Sequence, residues 1–103
     1  MATLNPDDVH ACHLFPIRID KKLFGYSRDE MMELMKEYNI GVSVHFIPIH
    51  MHPYYRERYT KDLTLPVTEA VFDQIMSLPL YPTLSDEDAL YVIDTIKYLH
   101  GKA

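Results

Sequence analysis

Apolar positions along the chain follow two different periods, and the change from one to the other marks the elements. Cys12-His13-Leu14-Phe15-Pro16-Ile17-Arg18-Ile19 is rich in β-branched and aromatic residues in rough alternation, which predicts a strand. Pro16 has no amide hydrogen to give a ladder, so that strand belongs at an edge. Lys21 to Tyr26, with Gly25, reads as a turn. From Ser27 the spacing becomes three and four: Met31, Leu34, Met35 and Tyr38 share one helical face. Ser27 with Glu30 three residues on is a capping box, each side chain satisfying the other's free amide. Asn39 suits a left-handed stop and Gly41 a turn into the next strand, Val42 to Ile47, which Pro48 ends.

The second half is punctuated by proline. Ile49-His50-Met51-His52 lies between Pro48 and Pro53 and is too short for a helix; Tyr54 to Tyr59 makes a helical turn or two. Lys61 to Leu65 is a connector. Pro66 fits a first helical position, and Val67, Ala70, Val71, Ile75 and Leu78 form the stripe of a helix. Leu78-Pro79-Leu80-Tyr81-Pro82 is a short extended piece. Ser85 caps a last helix with Asp86, Glu87 and Asp88 at its positive end, a stripe of Ala89, Val92, Ile93, Ile96 and Leu99, and Gly101 as its stop. The expected fold is α+β: a small, mainly antiparallel sheet of two to three strands, covered by helices on one face. Residues 1–9, polar and aperiodic, read as a leader or a cut end, poorly ordered; residues 10–103 read as one domain.

Composition narrows the function classes. Hydrophobic residues make up 48% and charged residues 24% of 103 positions, the balance of a globular fold. A net charge of −5 with no Lys/Arg stripe argues against nucleic-acid binding. A single cysteine forms no internal disulfide, and no apolar run approaches the ~20 residues of a membrane span. The expectation is a cytoplasmic protein without membrane or nucleic-acid partners.

Six histidines raise the possibility of a metal site, His50-x-His52 with His45 being the best set. Zinc needs three or four convergent ligands, and no cysteine or nearby carboxylate completes this one, so polar loop histidines are the plainer reading. His10-x-Cys12-His13 hints at a nucleophilic thiol, against Cys12 as a small buried hydrophobe. The Asp86-Glu87-Asp88 run is explained by helix capping. Tyr54, Tyr55, Arg56 and Arg58 beside His50 and His52 could hold a phosphorylated or sugar-bearing ligand through charge-assisted hydrogen bonds, or could be a packed aromatic pair with surface arginines.

Gly41 to Tyr55, GVSVHFIPIHMHPYY, resembles the C-terminal small domain of the DegT/DnrJ/EryC1/StrS sugar aminotransferases, pyridoxal-phosphate enzymes of fold type I. The matching pieces are Gly41, His45-Phe46, Pro48-Ile49-His50 and Pro53-Tyr54-Tyr55. His13 to Arg18 is similar to the strand opening that domain, Leu65 to Glu69 and Leu78 to Pro82 to later motifs, and Ser85 to Leu99 to its closing helix. The resemblance covers His10 to His100. It implies amination of a keto group on a nucleotide-linked sugar, in lipopolysaccharide, surface-glycan or antibiotic-sugar biosynthesis, with pyridoxal phosphate in the full-length enzyme. His45, Phe46 and His50 would border the sugar-nucleotide pocket, with Tyr54, Tyr55 and Arg56 as further substrate-binding candidates.

The same resemblance implies a large N-terminal domain and a homodimer partner. The lysine turn, ring-nitrogen aspartate and phosphate loop of that large domain are not in these residues, and no catalytic, cofactor-binding or metal-binding residue is assigned to this chain. It is expected to be a fragment that does not transaminate alone, or else a free-standing interaction module without catalysis. Either way the stretch from Ile47 to Met51 should leave an apolar patch exposed, which could drive self-association.

Overall fold

A computed structural model describes residues 4–103; the first three positions of the expected leader lie outside the described residues. Five helices and three strands follow one another as β1 (Phe15–Arg18), α1 (Lys21–Phe24), α2 (Arg28–Glu37), β2 (Ser43–Val44), α3 (Pro53–Arg58), α4 (Pro66–Gln74), β3 (Ile75–Leu78) and α5 (Asp86–Lys102), with a 3-10 turn at Ile49–Met51. The sheet order is β1-β3-β2 and both pairings are antiparallel. The α+β expectation holds, and Pro16 lies on an edge strand as its missing amide requires.

The central strand is where sequence and structure part. Ile75 and Leu78 extend the apolar spacing of the helix before them, yet α4 stops at Gln74 and Ile75–Leu78 becomes β3, paired on both sides. Its register sets Met76 opposite both Ile17 and Val44, and Ser77 opposite Pro16 and Ser43. The expected strand at Leu78–Pro82 is therefore displaced by three residues, since Pro79 and Pro82 cannot donate to a ladder. Strand β2 shrinks from Val42–Ile47 to two residues. Lys21 to Phe24 forms a helical turn capped by Asp20, whose side chain accepts from the Lys22 amide, and Ile49–Met51 coils where no helix is expected.

Side chains alternate across a strand, so Met76 and Ser77 face opposite ways. Met76 enters the core with Met31 and Met35 of α2, Val92 and Leu99 of α5, and Ile19 and Ile40. The capping box is present: the Ser27 hydroxyl accepts from the Glu30 amide and the Glu30 carboxylate accepts from the Ser27 amide. Those bonds, the backbone one foremost, hold the Glu30 carboxyl below its ordinary value, with Lys21 Nζ at 3.2 Å adding to the effect. In α5 the buried face is Val92, Thr95 and Leu99, whereas Ile93 is exposed. Thr95 tolerates burial because its hydroxyl donates to the Tyr91 carbonyl one turn back.

Two further ties join the helices. Arg28, 7% exposed, donates to the carbonyls of Phe72 and Ile75, so one buried guanidinium closes the end of α4 where the chain turns into β3. Gly25 ends α1 at φ +104°, and a β-carbon there would land on the Ala103 side chain, so its lack of one serves both turn and packing. His100 completes that contact by donating from Nδ1 to the Phe24 carbonyl at 3.0 Å. No described helix is long and apolar enough to cross a membrane.

Candidate functional site

The segment from His45 to Thr60 leaves the sheet after Val44 and is pinned at two points by histidines. His45 lies one residue past β2, with Nε2 2.9 Å from the Ser77 hydroxyl. Ser77 sits on the sheet face opposite the core, 5% exposed. Phe46 follows and is 99% exposed, its ring wholly outside the core. Ile47 and Ile49 are exposed as well, so the expected apolar patch is present in this stretch.

Pro48 then starts the 3-10 turn, closed by the Met51 amide on the Pro48 carbonyl and the His52 amide on that of Ile49. Within it His50 is only 6% exposed. Its Nε2 lies 3.3 Å from Glu69 Oε1 on α4, and its carbonyl accepts from the Thr60 hydroxyl at 2.8 Å. Pro53 opens α3 at a position where its missing amide costs nothing. Tyr54 and Tyr55 meet edge to face with ring centres 5.2 Å apart, and the Arg58 guanidinium sits 4.5 Å above Tyr54. Arg56 is exposed on the same short helix.

His45 and His50 are thus braced separately, one on the sheet and one on α4, with Phe46 projecting between them in sequence. Tyr54, Tyr55 and Arg56 cluster one turn further on. His45, His50 and His52 meet Ser77, Glu69 and the Tyr55 ring respectively. Among the described residues no group of three His, Cys, Asp or Glu could hold an ion. Cys12 is exposed rather than a buried hydrophobe, held in a local turn at φ 49° with its sulfur 3.3 Å from His10 Nδ1. The residues before Phe15 lie outside the sheet, so burial never reaches it.

Sequence reasoning passed over Ser77, Thr60 and Glu69 as site residues. Glu69, in the first turn after Pro66, reads as an ordinary helix-start acid, and only the fold brings it to His50. An adjoining groove of about 390 Å³ is lined in part by His13, Leu14, Ser43, Ser77, Leu80 and Tyr81. It likewise depends on three separated segments meeting across the sheet.

The cofactor implied by the resemblance can be tested against the lysines. A Schiff-base lysine needs an enclosed site that lowers its pKa and frees the amine. Lys21, Lys22, Lys36, Lys61, Lys97 and Lys102 are all exposed. Lys21 pairs with Glu30, and Lys102 is pushed upward, not downward, by the neighbouring Tyr98. No lysine here fits that role.

Comparisons with known proteins bear on the family and the fold. The model of the DegT/DnrJ/EryC1/StrS aminotransferase family matches residues 1–97. Over 96 residues the chain is 43% identical to the spore coat polysaccharide biosynthesis protein SpsC of Bacillus subtilis, covering 91% of this chain and 25% of that protein. Among solved structures, PseC of Helicobacter pylori, an aminotransferase involved in the biosynthesis of pseudoaminic acid, superposes with a TM-score of 0.77 over 88% of this chain and 24% of its own, at 22% identity. NtdA of Bacillus subtilis with bound cofactor PMP gives 0.74 over 89% and 21%, at 28% identity. The chain spans about a quarter of each. By motif order, fold and extent of match, it belongs to the DegT/DnrJ/EryC1/StrS aminotransferase family.

Proposed function

We propose that these residues are the C-terminal small domain of a pyridoxal-phosphate-dependent nucleotide-sugar aminotransferase of surface-glycan or amino-sugar biosynthesis. In this reading they supply a wall of the sugar-nucleotide pocket and a contact surface for the large domain and the dimer partner. Their own chemistry is binding and orientation. His45 and His50, braced from behind, offer ring nitrogens to sugar hydroxyls; Phe46 offers an apolar face to the ring or base; Tyr54, Tyr55 and Arg56 are placed to meet the charged, aromatic nucleotide part. Pyridoxal phosphate and its lysine belong to the large domain, and this chain alone is inert toward keto sugars.

The observation that carries the reading is Phe46. A phenylalanine ring 99% exposed, beside a histidine held on the buried Ser77, contributes nothing to this chain's own core.

The test is a chimera in which this chain replaces the matching segment of SpsC. Turnover of a nucleotide-linked keto sugar with glutamate should survive the exchange, and His45→Ala or Phe46→Ala should then raise the sugar KM about tenfold. A dimeric, cofactor-loaded chimera without turnover, or variants with unchanged KM, would overturn the reading.

A further inference from the structure

His50 carries an unused piece of information, the identity of its protonated nitrogen. An ionised carboxylate has no hydrogen to give, so the ring atom facing Glu69 Oε1 must be the donor. In the neutral imidazole the other nitrogen, Nδ1, is then a bare acceptor. Glu69 is the polar partner of the His50 ring, and the Thr60 hydroxyl holds the His50 backbone from the other side. Among the described residues no fully buried side-chain nitrogen or oxygen lacks a partner. Among those residues Nδ1 has no protein partner, so it lies where the nearly buried ring still reaches solvent.

By contrast, His45 faces a hydroxyl at Ser77, which both donates and accepts, so nothing in that contact selects a tautomer. The two histidines of one segment are thereby given different duties. We propose that Glu69 is a positioning residue that holds His50 as the Nε2–H tautomer, so that Nδ1 is presented as a hydrogen-bond acceptor to a donor group of the ligand, chemically a hydroxyl or an ammonium. This rests on the sugar-pocket reading for its ligand but not for its geometry. The carboxylate acts through the ring and touches no ligand itself.

Nitrogen-15 NMR of the full chain at about pH 9, where a free imidazole is neutral, reads this directly. The His50 ring proton should sit on Nε2, with Nδ1 showing the shift of an unprotonated nitrogen. Glu69→Ala should speed exchange of that proton with water about tenfold or more, while Thr60→Val, which leaves the carboxylate in place, should keep it protected. A ring proton on Nδ1, or exchange equally fast in the parent chain and Glu69→Ala, overturns the proposal. So does loss of protection in Thr60→Val, which would assign the orientation to the turn. The parent spectrum decides the tautomer even if Glu69→Ala fails to fold.

In an active SpsC chimera, Glu69→Ala should raise the sugar KM with little change in kcat, and an unchanged KM overturns the ligand half. An inactive chimera in which His50 keeps its Nε2 proton counts against the aminotransferase reading alone.

Discussion

The packing of α2, α5 and β3 differs sharply from the segment running from His45 to Tyr59, although both are rich in large apolar side chains. In the first, Met31, Met35 and Met76 are completely buried and interlock with Val92 and Leu99. In the second, Phe46, Ile47, Ile49, Tyr54, Tyr55 and Tyr59 are exposed, and the buried residue is a histidine. The core side chains repeat at the period of their element, so one face gathers them all. The other segment crosses Pro48 and Pro53 through a single 3-10 turn, which sends successive side chains in different directions. One region forms the core of the fold; the other lies outside that core, held by polar ties through His45 and His50.

Substitutions should separate the two regions by size of effect. Met76→Ala, in the cluster that β3 shares with α2 and α5, should cost about 2–5 kcal/mol in urea unfolding, because Met76 is fully buried and its truncation leaves a cavity. Arg28→Ala should cost about 1–3 kcal/mol by leaving the Phe72 and Ile75 carbonyls without their donor; a loss under about 0.5 kcal/mol would show that water replaces the guanidinium. Ser27→Ala removes the cap of α2 and should cost about 1 kcal/mol.

The Glu30 contribution is smaller and depends on pH. Its carboxyl is held low in the folded state, chiefly by the Ser27 amide, so the stabilisation is present above the ordinary glutamate range. It disappears as pH falls through the depressed folded value. Glu30→Gln should flatten that acid limb in pH-dependent unfolding while leaving the slope near neutrality alone. Phe46→Ser closes the series. It should change stability by no more than about 0.5 kcal/mol, and a core-sized loss there would erase the distinction between the regions.

Much of the helical framework is legible without coordinates. Ser27 and Glu30 announce α2 because both halves of a capping box are local in the chain, and Met31 and Met35 are buried as their spacing requires. The Ser85 cap and the acidic start of α5 are local in the same way. Gly101 misleads: it lies inside α5, whose helix runs on to Lys102. The placing of Pro16 on an edge and of Asn39 at positive φ also follows from single residues. The family likeness of Gly41 to Tyr55 belongs here too, being a matter of motif order.

Tertiary contacts alone decided the rest. Ile75 to Leu78 has helical spacing on paper, and only two flanking strands offering ladder bonds make it the centre of the sheet. In α5 the buried face includes Thr95 and leaves Ile93 exposed, and the bond from the Thr95 hydroxyl to the Tyr91 carbonyl makes that burial tolerable. The pairings of His45 with Ser77 and of His50 with Glu69 join residues 32 and 19 positions apart. Residue types and local spacing carry propensity and capping, which act within a turn or two of the chain. Which polar group meets which histidine depends on where whole elements pack, and no local period encodes that.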